Sequence, residues 1–150
     1  MSKPASPLPD FSAPPLNEVV LGIQSDKLAI TTPYLGLFWQ RIRSEYPTVE
    51  VQPALEPQHE RFDEGLQAPM AGFRLLDKPE TPRCWFIDSS GNRVIQLQQD
   101  RLLVNWRRRD VQDVYPRYPD VRARFAAAAE QLGVFVQENA LGDLAPPRLH

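Results

Sequence analysis

The chain has 150 residues and a formal net charge of −2, and its apolar share of 42% and charged share of 24% are typical of a globular domain. These figures exclude a coiled coil and a fully disordered chain, and the single cysteine excludes an internal disulfide. Proline departs from the norm, because 16 residues are about twice the usual share of roughly 5%. The apolar runs fall far short of the ~20 residues that span a bilayer, and the first residues lack the apolar stretch of a secretory signal. We therefore expect one cytoplasmic domain with no membrane partner.

The first predicted elements follow a proline-rich, disordered tail at residues 1–15. Residues 17–24 alternate apolar and polar side chains, which predicts a half-buried strand. A helix is predicted from Thr31 and Pro33, whose residue types favour helix starts, to the residue before Pro47. A second strand is predicted at 48–52. The next 30 residues, 53–82, contain five prolines and predict an irregular segment with one short strand at 72–76.

Residues 83–107 carry the clearest pattern, which is that of an antiparallel meander. Strands are predicted at 83–88, 93–98 and 101–107, joined by turn residues at 89–92 and 99–100. Apolar side chains alternate toward one face, and this set comprises Ile95, Leu97, Leu102, Val104 and Trp106. Polar side chains alternate toward the other face, and this set comprises Gln96, Gln98, Arg101, Asn105 and Arg107.

The last predicted element is a helix that begins near Pro119 and Asp120, both of which favour a first helical turn. Its apolar stripe comprises Val121, Phe125, Ala128 and Leu132. Gly133 is a candidate helix end, and residues 134–136 either extend the helix or begin a strand. The expected fold class is α+β, with an antiparallel sheet of about five strands and two helices packed on one face, in the order β-α-β-β-β-β-α. The domain is expected to cover residues 16–137, followed by a frayed tail at 138–150.

Residue types that carry catalysis are scarce in this sequence. His59 and Glu60 begin like a zinc-protease helix, but Asp63 stands where that motif has its second histidine. A polar loop is therefore favoured over a metal site at His59, Asp63 and Glu64. Cys84 adjoins Arg83, a neighbour that could lower a thiol pKa, yet no histidine is near it in sequence and an inert, buried thiol is favoured. Glycine-rich phosphate loops are also missing. We therefore expect no catalytic residue, no metal and no cofactor.

Four short motifs occur in order along the chain: PPLNEVV at 14–20, IQL at 95–97, LVNW at 103–106 and YPRY at 115–118. Together they resemble the N-terminal half of a sporadically distributed family of uncharacterised bacterial proteins. Members of that family are usually longer, with a second β-rich half, so the resemblance implies that two copies of this chain could associate in place of that half. The patchy distribution of the family implies an accessory or toxin-neutralising role in a bacterial conflict or defence system.

Charge is distributed unevenly, because residues 101–124 hold seven arginines and three aspartates while the rest of the chain carries a net charge of −6. Such asymmetry steers charged partners toward one side of a protein. We therefore expect a non-enzymatic protein-interaction module that binds an unknown protein partner, with the contact residues Gln96, Arg101, Asn105, Arg107 and Arg108. One alternative is a small-molecule pocket between helices and sheet, lined by Phe38, Trp39, Trp85 and Trp106. Another is RNA binding through Arg107–Arg109 and Arg117–Arg124, which the balanced net charge disfavours.

Overall fold

The computed structural model describes residues 14–56 and 80–144. Their elements follow the predicted order β-α-β-β-β-β-α, so the α+β fold class is confirmed. The bounds are β1 Glu18–Gln24, α1 Thr32–Ile42, β2 Thr48–Gln52, β3 Arg83–Ile87, β4 Arg93–Gln98, β5 Arg101–Arg107 and α2 Tyr118–Glu138. Neither of these helices is long and apolar enough to cross a membrane. The short strand predicted at 72–76 lies outside the described residues.

The five strands form one antiparallel sheet in the order β1-β5-β4-β3-β2. The predicted meander is confirmed as β3-β4-β5, and β1 and β2 are the two edge strands. Across the sheet, Leu21 pairs with Val104, Val104 with Ile95, and Ile95 with Phe86. This row of apolar side chains lies on one face, as the alternation along each strand predicts.

Both helices pack against that apolar face and form the second layer of the domain. The fully buried Phe38 of α1 lies 5.9 Å from Phe86 of β3 and 5.5 Å from Phe135 of α2, measured between ring centroids. An exposed ion pair between Arg41 and Glu138 also joins the two helices. The opposite face of the sheet is called the outer face below, and neither described helix packs on it.

The end of α1 differs from the sequence prediction, and the structure decides between the two alternatives for the end of α2. Helix α1 ends at Ile42, whose carbonyl accepts a hydrogen bond from the Tyr46 amide in a turn, because Pro47 then disfavours further helix. Helix α2 continues through Gly133, which places Phe135 and Val136 in the core. The predicted alternative in which residues 134–136 extend the helix is therefore confirmed, and a helix end at Gly133 or a strand start at 134–136 is wrong.

The packed core extends beyond residue 137, where the sequence places the start of a frayed tail. Leu141 is buried, and its carbonyl accepts a hydrogen bond of 2.7 Å from the amide of Ala29. This contact fixes the end of α2 against the chain that leaves β1. Burial of one leucine supplies about 2 kcal/mol, which offsets part of the entropic cost of ordering this segment.

Candidate functional site

The outer face has a polar centre that is almost fully buried. Gln96 of β4 and Asn105 of β5, both predicted contact residues, are only 6% and 5% exposed. Their side chains bond to each other, because Gln96 Nε2 donates to Asn105 Oδ1 at 2.9 Å. The hydrogen bond gives each buried amide a partner, and a buried polar group without one would cost about 1–3 kcal/mol.

The pair extends into a chain of hydrogen bonds that crosses four strands. Arg83 Nη1 of β3 donates to Gln96 Oε1 at 3.0 Å, and Asn105 Nδ2 donates to Glu18 Oε1 of β1 at 2.7 Å. The amide network is the name used below for these four residues, Arg83, Gln96, Asn105 and Glu18. Each bond holds the next side chain in one rotamer, so the outer face is fixed before any partner arrives.

A basic aromatic group lies on the same face. The guanidinium carbons of Arg83 and Arg107 lie 5.5 Å and 5.6 Å from the centre of the Trp85 ring, within cation–π range. Arg107 belongs to β5 and Trp85 to β3, so the arginine side chain crosses β4 to reach the ring. Its Nε also donates to the carbonyl of Gly91 at 3.0 Å, which fixes its direction. The Trp85 cluster is the name used below for Arg83, Trp85 and Arg107.

Two donors of the Trp85 cluster are buried without an acceptor. These are the indole Nε1–H of Trp85 and the Nε–H of Arg83, for which the described part of the chain supplies no hydrogen-bond partner. Burial, and then the positive charge of Arg101, lower the pKa of Arg83 from its ordinary value. The cluster is therefore electropositive and short of acceptors.

The predicted contact residue Arg101 belongs to a different group at the end of the β4-β5 hairpin. It pairs with Asp100 at 3.2 Å, and both side chains are almost fully buried. Its Nη2 also donates to the carbonyl of Glu56 at 3.1 Å. Beside it, Gln98 holds the backbone of Leu55 through two bonds of 2.8 Å, one to the amide and one to the carbonyl. This group fixes the chain that follows β2.

The fifth predicted contact residue, Arg108, lies half-buried just after β5, and its amide donates to the carbonyl of Asn17. It adjoins a loop held by Asp113, whose Oδ2 accepts from the amides of Arg109 and Asp110 and from Asn92 Nδ2. The two amide bonds, the Asn92 bond and the charge of Arg108 lower the pKa of Asp113. The structure therefore gathers Gln96, Asn105 and Arg107, and separates Arg101 and Arg108 from them.

The four aromatic residues proposed to line a small-molecule pocket are not gathered around one cavity. Phe38 is fully buried in the core, and Trp106 packs on Tyr115 with ring centroids 5.4 Å apart. Trp39 donates its indole N–H to the carbonyl of Tyr46 at 2.9 Å. Trp85 lies on the outer face, because its neighbours in β3, Cys84 and Phe86, belong to the core.

The two basic segments proposed to bind RNA are divided by the sheet. Arg107 lies on the outer face, whereas α2, which carries Arg122 and Arg124, packs on the other face. Arg124 also lies 3.9 Å from Asp120 of the same helix. A continuous basic stripe along one surface, which nucleic-acid backbones require, is thus interrupted between these segments.

Candidate catalytic groups are sparse in the described residues. Cys84 is buried, and burial raises its thiol pKa, which lowers the fraction of the nucleophilic thiolate at neutral pH. Among residues 14–56 and 80–144, no group of three or more histidine, cysteine or acidic side chains could hold a metal ion. His59, Asp63 and Glu64 lie outside the described residues.

The chain matches no protein-family model, no curated protein and no solved structure. The site is therefore interpreted from its own residues. Sequence analysis left Arg83, Trp85 and Glu18 out of the contact set. The alternation of side chains along β3 could have included Arg83 and Trp85, because it places them on the face of the sheet that Cys84 and Phe86 do not occupy. Glu18 shows the same signal in β1.

Proposed function

We propose that this protein is a non-enzymatic protein-interaction module that binds its partner through the outer face of the sheet. The observation that carries the proposal is the buried amide network. A surface that is exposed only to water does not need side chains bonded to one another, because water can supply a hydrogen-bond partner for each of them. Side chains that are already fixed lose little conformational entropy on association, which favours binding.

The layer above the network supplies the chemistry of recognition. Trp85 and two arginines are residue types that dominate binding energy in protein interfaces, since they combine a large apolar area with directional hydrogen bonds. The edge strand β1 adds Val20, which is 45% exposed and pairs with Asn105 of the amide network. Arg107 is thus the predicted contact residue with the strongest support, because it lies over the centre of the face.

The proposal is tested with the protein purified from its own host and examined by native mass spectrometry. We expect the mass of the chain plus a second protein. Arg107→Glu should weaken this complex at least tenfold, because reversal of a central interface charge costs 2 kcal/mol or more. Arg122→Glu is the matched control, since Arg122 is exposed on α2 at the other side of the domain. A bare chain, or a complex that Arg107→Glu leaves intact, would contradict the proposal.

The partner could also be a second copy of the chain, and the two edge strands differ in how well they suit such pairing. Antiparallel pairing of β1 with itself about Leu21 sets Glu18 opposite Gln24 and brings no like charges together. The same pairing of β2 sets Glu50 opposite Glu50, which is unfavourable. A homodimer would therefore form through β1. Sedimentation at rising concentration tests this, and Val20→Lys should abolish the dimer.

The resemblance to the bacterial family adds a setting to this proposal, which is an accessory or toxin-neutralising role. The identity of a co-purified protein tests that setting directly. A toxin or defence component would support it, and a metabolic enzyme would contradict it.

A further inference from the structure

We propose that the Trp85 cluster is a binding site for a carboxylate group. The argument rests on donors that have no acceptor, and on arginines that form no ion pair, among residues 14–56 and 80–144. It deepens the proposed function, since an acidic side chain of a partner protein is one source of such a group. A free carboxylate anion is the other source.

The unused donors form the right geometry for this ligand. Arg83 uses Nη1 for its bond to Gln96, and the other edge of its guanidinium, formed by Nε–H and Nη2–H, has no partner in the described residues. That edge is the planar fork that binds the two oxygens of a carboxylate. The unpartnered indole N–H of Trp85 belongs to a ring centred 5.5 Å from the same guanidinium. A carboxylate bound at that edge would therefore lie near the Trp85 ring.

The charge balance favours an anion at this position. In the described part of the chain, no carboxylate lies within 4.0 Å of the guanidinium nitrogens of Arg83 or Arg107. The network connects Arg83 through two neutral amides to Glu18, which is the register partner of Arg107 in β1 but forms no ion pair with it. Two like charges against one ring repel each other, and a bound anion between them removes that repulsion. A second arginine also favours a ligand with two carboxylates, or an acidic peptide.

The three tryptophans of the chain allow a test that reports on this site alone. In ¹⁵N-labelled protein each indole N–H gives its own signal, and Trp85→Phe identifies the signal of Trp85. The signals of Trp39, bonded to Tyr46, and of Trp106, packed on Tyr115, serve as internal controls on the other face. Glutarate and an acetylated penta-glutamate peptide are titrated at constant ionic strength, with sodium chloride and inorganic phosphate as comparison anions.

We expect a saturable shift of the Trp85 signal while the other two indole signals stay in place. Arg83→Lys keeps the charge but removes the fork, and it should weaken binding at least tenfold. Arg122→Lys, the same exchange at an exposed site on α2, should leave the affinity unchanged. Unmoved Trp39 and Trp106 signals in Arg83→Lys show that the variant is folded.

The arms of the titration separate the sources of the ligand. Shifts with both glutarate and the peptide indicate that a small carboxylate is sufficient, and a shift with the peptide alone indicates a protein side chain. A static Trp85 signal, an equal response to chloride, tighter binding of phosphate, or an unchanged affinity in Arg83→Lys would each overturn the proposal. Because the titration needs no partner, it can succeed when no protein co-purifies. If the titration fails but a complex that depends on Arg107 is found, the carboxylate site is contradicted and the proposed function is not.

Discussion

Asn105→Ala tests the amide network, on which the proposed function depends. The substitution deprives Gln96 Nε2 of its acceptor inside a region that is about 6% exposed. An unsatisfied buried donor costs about 1–3 kcal/mol. The lost bond to Glu18 adds only about 0.5 kcal/mol, because that carboxylate is exposed and water replaces the amide. We expect the free energy of unfolding to fall by about 1.5–3.5 kcal/mol.

Urea unfolding followed by circular dichroism measures this change. At about 2–4 °C per kcal/mol for a domain of this size, the melting temperature should fall by about 3–14 °C. Gln52→Ala is the control, since its amide lies at the sheet edge and its 3.4 Å contact to Glu50 is exposed. That variant should stay within about 0.5 kcal/mol of the wild type.

A double-mutant cycle separates the hydrogen bond from the poorer strand propensity of alanine. Asn105→Ala and Gln96→Ala each remove one side of the bond, so their combined effect should differ from the sum by about 0.5–3 kcal/mol. Additive effects within about 0.3 kcal/mol would refute the claim that the two amides form one network. A cost of Asn105→Ala no larger than that of Gln52→Ala would refute it as well.

Three further predictions concern the core, the thiol and the loop. Phe38→Ala should lower the free energy of unfolding, measured in urea, by about 3–5 kcal/mol. Leu37→Ala, at a position 48% exposed, should lower it by less than about 1 kcal/mol. Similar values for the two variants would contradict the packing of α1. Cys84 should react with a disulfide reagent slowly in the native protein and rapidly in urea, because burial raises its pKa; rapid native reaction would show an accessible thiol. Asp113→Asn should destabilise the protein at pH 6. Because the pKa of Asp113 is lowered in the folded protein, its ionised carboxylate stabilises the fold above the pKa of the unfolded chain, and this stability is lost as the pH falls below it. The difference in stability between variant and wild type should therefore shrink below about pH 4. A deficit independent of pH would contradict this account.

The two faces of the sheet could be predicted from the sequence because strand alternation is a local property. Ile95 and Gln96 are neighbours in the chain, and their opposite orientation follows from the pleat alone. The tight connection at 99–100 also fixes the β4-β5 register, in which Gln98 pairs with Arg101. The shared face of Gln96 and Asn105 was therefore predictable.

The contacts between distant segments could not be predicted in the same way. Gln98 holds the backbone of Leu55, which is 43 residues away, and nothing in either local pattern indicates that pairing. Arg101 was expected to face a partner, but its charge is neutralised by Asp100 inside the domain. A side chain on the correct face can thus be used internally, and only the tertiary structure distinguishes the two cases.

Trp85 shows how residue type can mislead when it is given more weight than position. The sequence analysis placed Trp85 with Phe38 among the aromatic residues of a pocket between the helices and the sheet. Its position between Cys84 and Phe86, both buried in the core, requires the opposite face. The arginines that flank the ring complete the reversal, since a guanidinium can stack on an indole where an apolar core would exclude it.

The two faces are stabilised by different physics, and this decides which substitutions can separate folding from binding. The helix-covered face depends on apolar burial, which has no direction, so exchanges that conserve volume cost less than about 1.5 kcal/mol there. The outer face depends on hydrogen bonds with fixed donors and acceptors, so truncation to alanine damages fold and surface together. Glu18→Gln keeps an acceptor for Asn105 and removes a negative charge next to the cluster. Isosteric exchanges of this kind alter the electrostatic field of the outer face while the network keeps its geometry.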